Sequence, residues 1–309
     1  MTMTYSIVIP VFRATASLEV IYLKSKELLG KQFSKLILVF DQGKVDSWNK
    51  IEELANRYPD IIGIQLNRNF GQHNATICGF QYVDSEYLIT MDEDLEHHPT
   101  DILKLIIKQK EENADIVYAH LLNRSHNSFR NITSKILNTL LKLGMPELHP
   151  HYSGFRLIRT DVAKGVLEMR SSYTFLDGYL TWVTTNVVSV DVEHGRSQSG
   201  RSSYKLKDLI RHFINIFVTF SSLPIRLLTS LSFLLFALSS TYAVVIIFNT
   251  LMYDTYAAGF PTLITMLGFG FGAILLGLGI IGEYIQRINL KTTHRPVFIV
   301  KNTLNSPKR

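Results

Sequence analysis

Apolar runs rich in β-branched residues recur through the first part of the chain, at residues 6–11, 36–40, 61–66, 87–91 and 116–119. Between them, segments such as 47–58 and 101–112 place their apolar positions at helical spacing. Short strands alternating with helices predict an α/β fold built on a doubly wound, mainly parallel sheet. Ligands bind such sheets beyond the carboxyl ends of the strands, so the residues that follow each run are the first candidates for chemistry. Further along, the pattern predicts a helix over 128–143 and strands near 153–158 and 187–192. No internal repeat or low-complexity tract interrupts it.

The pattern changes after residue 204. Leu206, Leu209, Ile210, Phe213, Ile214 and Phe217 share one helical face, and Lys205, Lys207, Asp208, Arg211 and His212 lie opposite. This predicts an amphipathic helix over 205–224, lying in a membrane interface or packed on the domain surface. Two charge-free stretches follow, 227–253 and 255–282. Each exceeds the roughly 20 residues that a helix needs to cross about 30 Å of hydrocarbon. They predict a transmembrane hairpin over 225–286, with spans at about 227–249 and 260–282. Lys205, Lys207, Arg211 and Arg226 precede the hairpin and Arg287, Lys291 and Arg295 follow it, while the connector over 249–259 carries Asp254 and no Lys or Arg. That asymmetry places residues 1–204 and a basic tail, 287–309, on the cytoplasmic side. Residues 1–10 have no basic segment leading a long apolar run, so no signal peptide is expected.

Composition sharpens this division. A mean hydropathy of +0.12 with 19% charged residues follows from apolar residues concentrated after Ile225. The single cysteine, Cys78, forbids an internal disulfide and reads as a core residue. A net charge of +6 suits anionic lipid headgroups. It does not point to nucleic acid, because the first 204 residues carry no basic stripe interleaved with aromatics.

The sharpest candidate chemistry is Met91-Asp-Glu-Asp-Leu-Glu96, directly after an apolar run. In an extended segment Asp92, Asp94 and Glu96 point to one side. There they can share one Mg²⁺ or Mn²⁺ with substrate phosphates. A solvated acidic loop capping the helix that begins near Pro99 is the other reading. Asp41 follows the second run, and Asn67-Arg-Asn-Phe-Gly71, with Arg68 and Asn69, follows the third. All three segments fall where one bound nucleotide would meet them, although Asp41-Gln42-Gly43 also suits a turn and Asn69 or Gly71 a helix cap.

Taken in order, Ser6-Ile-Val-Ile-Pro-Val11, Asn67-Arg-Asn-Phe-Gly71, Met91-Asp-Glu-Asp-Leu95, Ser153-Gly-Phe-Arg-Leu157, Gly200-Arg-Ser-Ser-Tyr204, the hairpin ending Gly282-Glu-Tyr-Ile285 and Arg295-Pro-Val-Phe-Ile-Val300 resemble the family 2 inverting glycosyltransferases. Within that family they resemble the polyprenyl-phosphate enzymes related to bactoprenol glucosyltransferases and dolichol-phosphate mannose synthase. The resemblance spans nearly the whole chain. It implies a GT-A fold, a nucleotide-sugar donor, Mg²⁺ or Mn²⁺, and a polyprenyl phosphate acceptor at the cytoplasmic leaflet of a bacterial inner membrane, where the acceptor would be undecaprenyl phosphate. On this chain it implies that Pro10 and Asp41, with Arg68 and Asn69, line the nucleotide site and that Asp92 and Asp94 form the D-x-D pair. Asp94 would be the metal ligand, with Glu96 keeping or strengthening that contact. Arg124, Arg130, Arg196 and Arg201 would hold the acceptor phosphate, and Asp177 would orient the acceptor or cap a helix start. Asp92, Asp94, Asp177 and Arg201 are thus the catalytic candidates.

The chain also departs from the pattern of the family it resembles. Gln42 and Lys44 replace the second Asp and the Ser of the usual D-D-G-S motif, and Gly154 stands where some bactoprenol relatives carry a carboxylate. A missing base is tolerable because a phosphate monoester, with a second pKa near 6, is already largely anionic at neutral pH. A processive polysaccharide synthase is a further reading, from the Q-x-x-R spacing of Gln198 and Arg201, but Ser202 stands where synthases have Trp. A membrane-tethered binder of nucleotide sugars without turnover is the third. Gly268 and Gly272 form a G-x-x-x-G face that suits packing on the first span or a homo-oligomer, and the resemblance to tetrameric relatives favours a tetramer.

Overall fold

The computed structural model describes residues 3–13, 15–121, 145, 147–169, 174–192, 259–292 and 296–306, with scattered positions between 230 and 252. The expected helices over 128–143 and 205–224, and Arg124, Arg130, Arg196 and Arg201, lie outside the described residues.

The first half alternates as expected: β1 (Tyr5–Val11), α1 (Ala16–Leu29), β2 (Phe33–Phe40), α2 (Val45–Arg57), β3 (Ile61–Leu66), α3 (Gln72–Phe80), β4 (Tyr87–Thr90), α4 (Ile102–Glu112) and β5 (Ile116–Leu121). Then follow β6 (Arg156–Arg159), α5 (Thr160–Gly165), α6 (Leu176–Val183), β7 (Val187–Val192), the long helix α7 (Phe260–Thr292) and β8 (Val300–Leu304). The strands form one sheet in the order β7-β5-β6-β4-β1-β2-β3-β8. β1 pairs in parallel with β2 and β4, β2 with β3, and β5 with β7. β6 runs antiparallel to β4 and β5, and β8 antiparallel to β3, so the sheet as a whole is mixed.

Both faces of the sheet are covered, and this explains why its strands read as nearly continuous apolar runs. Successive side chains of a strand point to opposite faces. Accordingly Ile7, Ile9 and Val11 of β1 join one core cluster with Leu18 and Ile21 of α1, Trp48 and Ile51 of α2, and Leu105 of α4. Val8 joins the other, with Cys78 and Phe80 of α3, Val162 of α5 and Leu176 of α6. Cys78 is buried and unbridged, as its sequence setting predicts.

The chain beyond residue 287 was expected as a basic tail. Part of it belongs to the sheet instead: β8 pairs Gly63 with Leu304, Ile64 with Thr303 and Gln65 with Asn302. The strand is short, with polar residues at 301–303, and only Leu304 and Val300 supply apolar packing. Among the described residues no helix is long and apolar enough to cross a membrane. α7 runs over 33 residues, with its side chains described only in part.

Candidate functional site

The carboxyl ends of β1, β2, β3 and β4 lie side by side, and the candidate carboxylates stand on the loops that leave them. Asp41, immediately after β2, is 4% exposed. Its Oδ1 accepts from the Phe70 amide at 2.7 Å and its Oδ2 from the Gly71 amide at 2.8 Å. Burial raises its carboxyl above the ordinary range, while the two backbone donors oppose the shift. Asp41 thus fastens the loop after β3. Pro10 sits one register step from the end of β1, opposite Val39. Arg68 lies over the Phe70 ring at 4.7 Å, and Asn69 is exposed.

The Gln42 and Gly43 positions explain one departure from the family pattern. Gln42 adopts a positive φ of 50°, and its Nε2 donates to the Leu66 carbonyl at 2.6 Å. An Asp there would have no donor for that carbonyl. At Gly43 an added Cβ would fall 1.6 Å from the Phe12 carbonyl oxygen, so the turn presses against the end of β1 and admits only glycine.

The acidic loop after β4 is not the extended segment that the sequence suggested. It turns, and Leu95 takes a left-handed φ of 61°, so simple alternation does not align Asp92, Asp94 and Glu96. Leu95 packs partly buried against the first core cluster, which holds this uncommon conformation in place. Asp94 Oδ1 accepts from the Glu96 amide at 3.0 Å. Glu93 points elsewhere: its carboxylate accepts from the Phe12 and Arg13 amides at 2.9 and 3.0 Å, and its carbonyl from Ser17 Oγ at 2.6 Å. Glu93 therefore ties the β4 loop to the end of β1 and the start of α1.

Asp92 is partly buried. Its Oδ1 accepts from Gln72 Nε2 at 2.6 Å, and an added Cβ at Gly154 would lie 3.3 Å from both of its oxygens. Burial, then the like charge of Asp94, push its carboxyl up to about 6 against the pull of Arg156, with Glu96 and Glu93 adding to the rise. A pocket of negative charge so placed favours a cation. The oxygen donors of Asp92 and Asp94 fit a hard divalent ion. Among the described residues, however, no group of three or more His, Cys, Asp or Glu could hold a metal alone, so the remaining ligands would have to come from elsewhere.

Asp177 lies in the first turn of α6, at the helix start that the sequence offered, but no side-chain hydrogen bond caps that helix. The residue is 3% exposed, and its Oδ1 pairs with Arg156 Nη1 and accepts from Tyr118 OH at 2.9 Å. Such a buried carboxylate faces a fixed internal partner. Arg156 Nε donates to Thr90 Oγ1 at 3.0 Å, and Thr90 Oγ1 donates to the Gly154 carbonyl at 2.7 Å. Arg156 thus links Asp177 to the end of β4. It was missed in the sequence, although an arginine within the otherwise apolar Phe155 to Ile158 run was the available signal. Gln72, Glu93 and a histidine group were missed too. In that group the His120 and His151 rings lie 3.9 Å apart, and His120 Nδ1 is 2.8 Å from Asp191.

Residues 6–167 match the family described as Glycosyl transferase family 2, which is more than half of the chain. The chain belongs to that family. It is 32% identical over 307 residues to an undecaprenyl-phosphate 4-deoxy-4-formamido-L-arabinose transferase of Shewanella sediminis (strain HAW-EB3), with 97% of this chain and 92% of the relative covered. It is 27% identical over 304 residues to a bactoprenol glucosyl transferase of Shigella phage SfV, covering 97% and 99%. The fold is similar to that of glucosyl-3-phosphoglycerate synthase from Mycobacterium tuberculosis crystallised with Mn²⁺, UDP-glucose and glycerol 3-phosphate, with a TM-score of 0.52, 15% identity, and 70% and 78% of the two chains covered. As a GT-A-like member of family 2, this glycosyltransferase places its family's acidic motif at the end of β4.

Proposed function

We propose that this glycosyltransferase moves one sugar from a nucleotide-diphosphate sugar to a polyprenyl phosphate, undecaprenyl phosphate in a bacterium, at the cytoplasmic leaflet, inverting the anomeric centre. The observation that carries the reading is end-to-end similarity to transferases named for undecaprenyl phosphate and bactoprenol, covering 97% of this chain in each case. The product is a membrane-bound polyprenyl monophosphate sugar for modification of surface glycan or lipid.

The donor lies across the carboxyl ends of β2, β3 and β4, between the Asp41 turn, the 67–71 loop and the acidic loop. Asp94, with Asp92 beside it, would hold Mg²⁺ or Mn²⁺ together with the donor phosphates, which would supply the remaining ligands, and the ion would offset charge on the departing nucleoside diphosphate. The acceptor phosphate needs no base, being largely anionic at neutral pH. The protein's task is then to align that oxygen with the anomeric carbon and exclude water. Arg124, Arg130, Arg196 and Arg201 remain the candidates for holding it.

A membrane location is supported by α7. Residues 260–282 carry no charge, and Leu263, Phe271, Ile274, Leu278, Ile281 and Ile285 are all exposed. Six large apolar side chains open to water on one helix are costly, and lipid removes that cost. The reading places both termini in the cytoplasm and allows a homo-oligomer through the Gly268 and Gly272 face.

The test is a panel of nucleotide sugars offered to the purified full-length protein in detergent with undecaprenyl phosphate and Mn²⁺. One donor should release nucleoside diphosphate only when lipid and metal are both present, with one sugar on each lipid. Release of none would make the chain a binder, and a growing polymer would make it a synthase.

A further inference from the structure

The loop over residues 67–71 is held at three points. Gln42 Nε2 donates to the Leu66 carbonyl at 2.6 Å just ahead of it, and Asp41 accepts from Phe70 and Gly71 at its far end. The third point comes from the other end of the chain: the Asn67 amide donates to the Ile299 carbonyl at 2.8 Å. Ile299 immediately precedes β8, which pairs antiparallel with β3 and crosses a register shift between Gln65 and Leu66. That irregularity lies where the strand gives way to the loop.

β8 is fixed independently of this contact. Phe298 and Val300 pack on one core cluster and Leu304 on the other. Asn305, with a φ of 55°, turns its Nδ2 onto the carbonyls of Ala55, Tyr58 and Ile61, the last at 3.1 Å. A left-handed Asn is tolerated because its short polar side chain bonds locally. The strand is thereby anchored at the foot of β3 and reaches the loop at the top. Without it β3 would be the edge of the sheet and the Asn67 amide would lose this acceptor.

We infer that β8, with Ile299 ahead of it, is a positioning element for the nucleotide-sugar donor, holding the first residue of the 67–71 loop while Asp41 holds the last two. The inference rests on the proposed donor site and adds to it a wall that the chain completes only after α7. A loop ordered before the donor arrives loses less conformational freedom on binding, so β8 acts on donor affinity. β8 is assigned no part in holding the acceptor phosphate or in the transfer step. Because β8 follows α7 directly in sequence, the anchor and the donor wall form one continuous piece of chain.

Two full-length variants test this: Asn305→Ala, and Asn305→Ala combined with Leu304→Ala. Lys301→Ala, at an exposed position on the same strand, is the control. Hydrogen exchange at the Asn67 amide should quicken at least tenfold in the double variant and stay unchanged in the control, whatever the ligand. UDP or GDP with Mn²⁺, whichever the wild type binds, should bind five- to tenfold more weakly by calorimetry. The donor KM should rise in step, with kcat at saturating donor and the KM for polyprenyl phosphate within twofold. Unchanged exchange at Asn67 would overturn the inference, as would a lower Tm with unchanged nucleotide affinity, or equal loss in both substrates and in kcat. Faster exchange in a protein whose wild type binds neither nucleotide would keep the mechanical link and sink the donor reading instead.

Discussion

Asp41 and the Asp92–Asp94 pair stand at the ends of strands that both flank β1, yet their oxygens are used in opposite ways. Asp41 accepts two backbone amides, one on each oxygen, so its charge is satisfied by the protein. Asp92 has the Gln72 amide on Oδ1 and, around it, burial and three other carboxylates that raise it to about 6. A carboxylate answered by amides builds a wall. Carboxylates crowded against one another need a cation, and a ligand that brings one. Glu93 and Asp177 belong with Asp41, although Glu93 lies inside the D-x-D sequence itself.

The largest break in this contrast comes from Asp94→Asn. Losing a metal ligand's charge costs several kcal/mol of transition-state stabilisation, so turnover should drop by about 10³-fold, roughly 4 kcal/mol, with the protein still folded in detergent. Initial rates at saturating Mn²⁺, read beside circular dichroism, check it. A variant keeping a tenth of wild-type turnover would place Asp94 with the wall carboxylates.

How far the sequence revealed this division depends on the kind of signal. Periodicity located β1 to β5 and β7 to within a few residues, because strands covered on both faces, β1 to β4 above all, are nearly apolar throughout, while the half-buried edge strand β7 keeps its valines. The acidic loop was found by composition, but its shape was not: Leu95 at positive φ carries no mark in a string of letters. Asp41 was named as a nucleotide-site candidate, while its bonds to residues 70 and 71 depend on how two loops approach in space. Asp177 sits in the first turn of its helix, as one reading had it, yet its side chain pairs with Arg156 of β6, a partner that no local pattern shows. β8 was hidden most deeply. Its strand pattern is weak, its partner β3 ends more than two hundred residues earlier, and the long apolar stretch before it suggested a domain boundary at 204.

Asp177→Asn tests the wall side of the contrast. Arg156 is 3% exposed, and taking the charge from its partner leaves a buried cation underpaired, which costs about 3 kcal/mol or more. Thermal unfolding in detergent should show the loss. Residual turnover per folded molecule should stay within a fewfold of wild type, because neither Asp177 oxygen reaches the acidic loop in the network described. A full loss of turnover at unchanged Tm would return Asp177 to the acceptor site.

The smallest effect concerns protons on Asp92. Its carboxyl is raised from 3.8 to about 6, so between those values the folded protein holds a proton there that the unfolded chain has released. The folded state then binds more protons than the unfolded one, and stability falls as pH rises through that window and levels off above it. A shift of about two pKa units corresponds to at most about 3 kcal/mol. Other carboxylates titrate over the same range, so the useful quantity is the difference between wild type and Asp92→Asn. The wild type should lose stability relative to the variant between pH 4 and pH 6.5, and hold a constant difference above pH 7. Mn²⁺ with the nucleoside diphosphate should flatten the wild-type slope, because a bound cation favours the ionised carboxylate and removes the cause of its raised pKa. Parallel pH profiles for the two proteins without metal would show that Asp92 is satisfied within the protein after all, and the contrast with Asp41 would then rest on Asp94 alone.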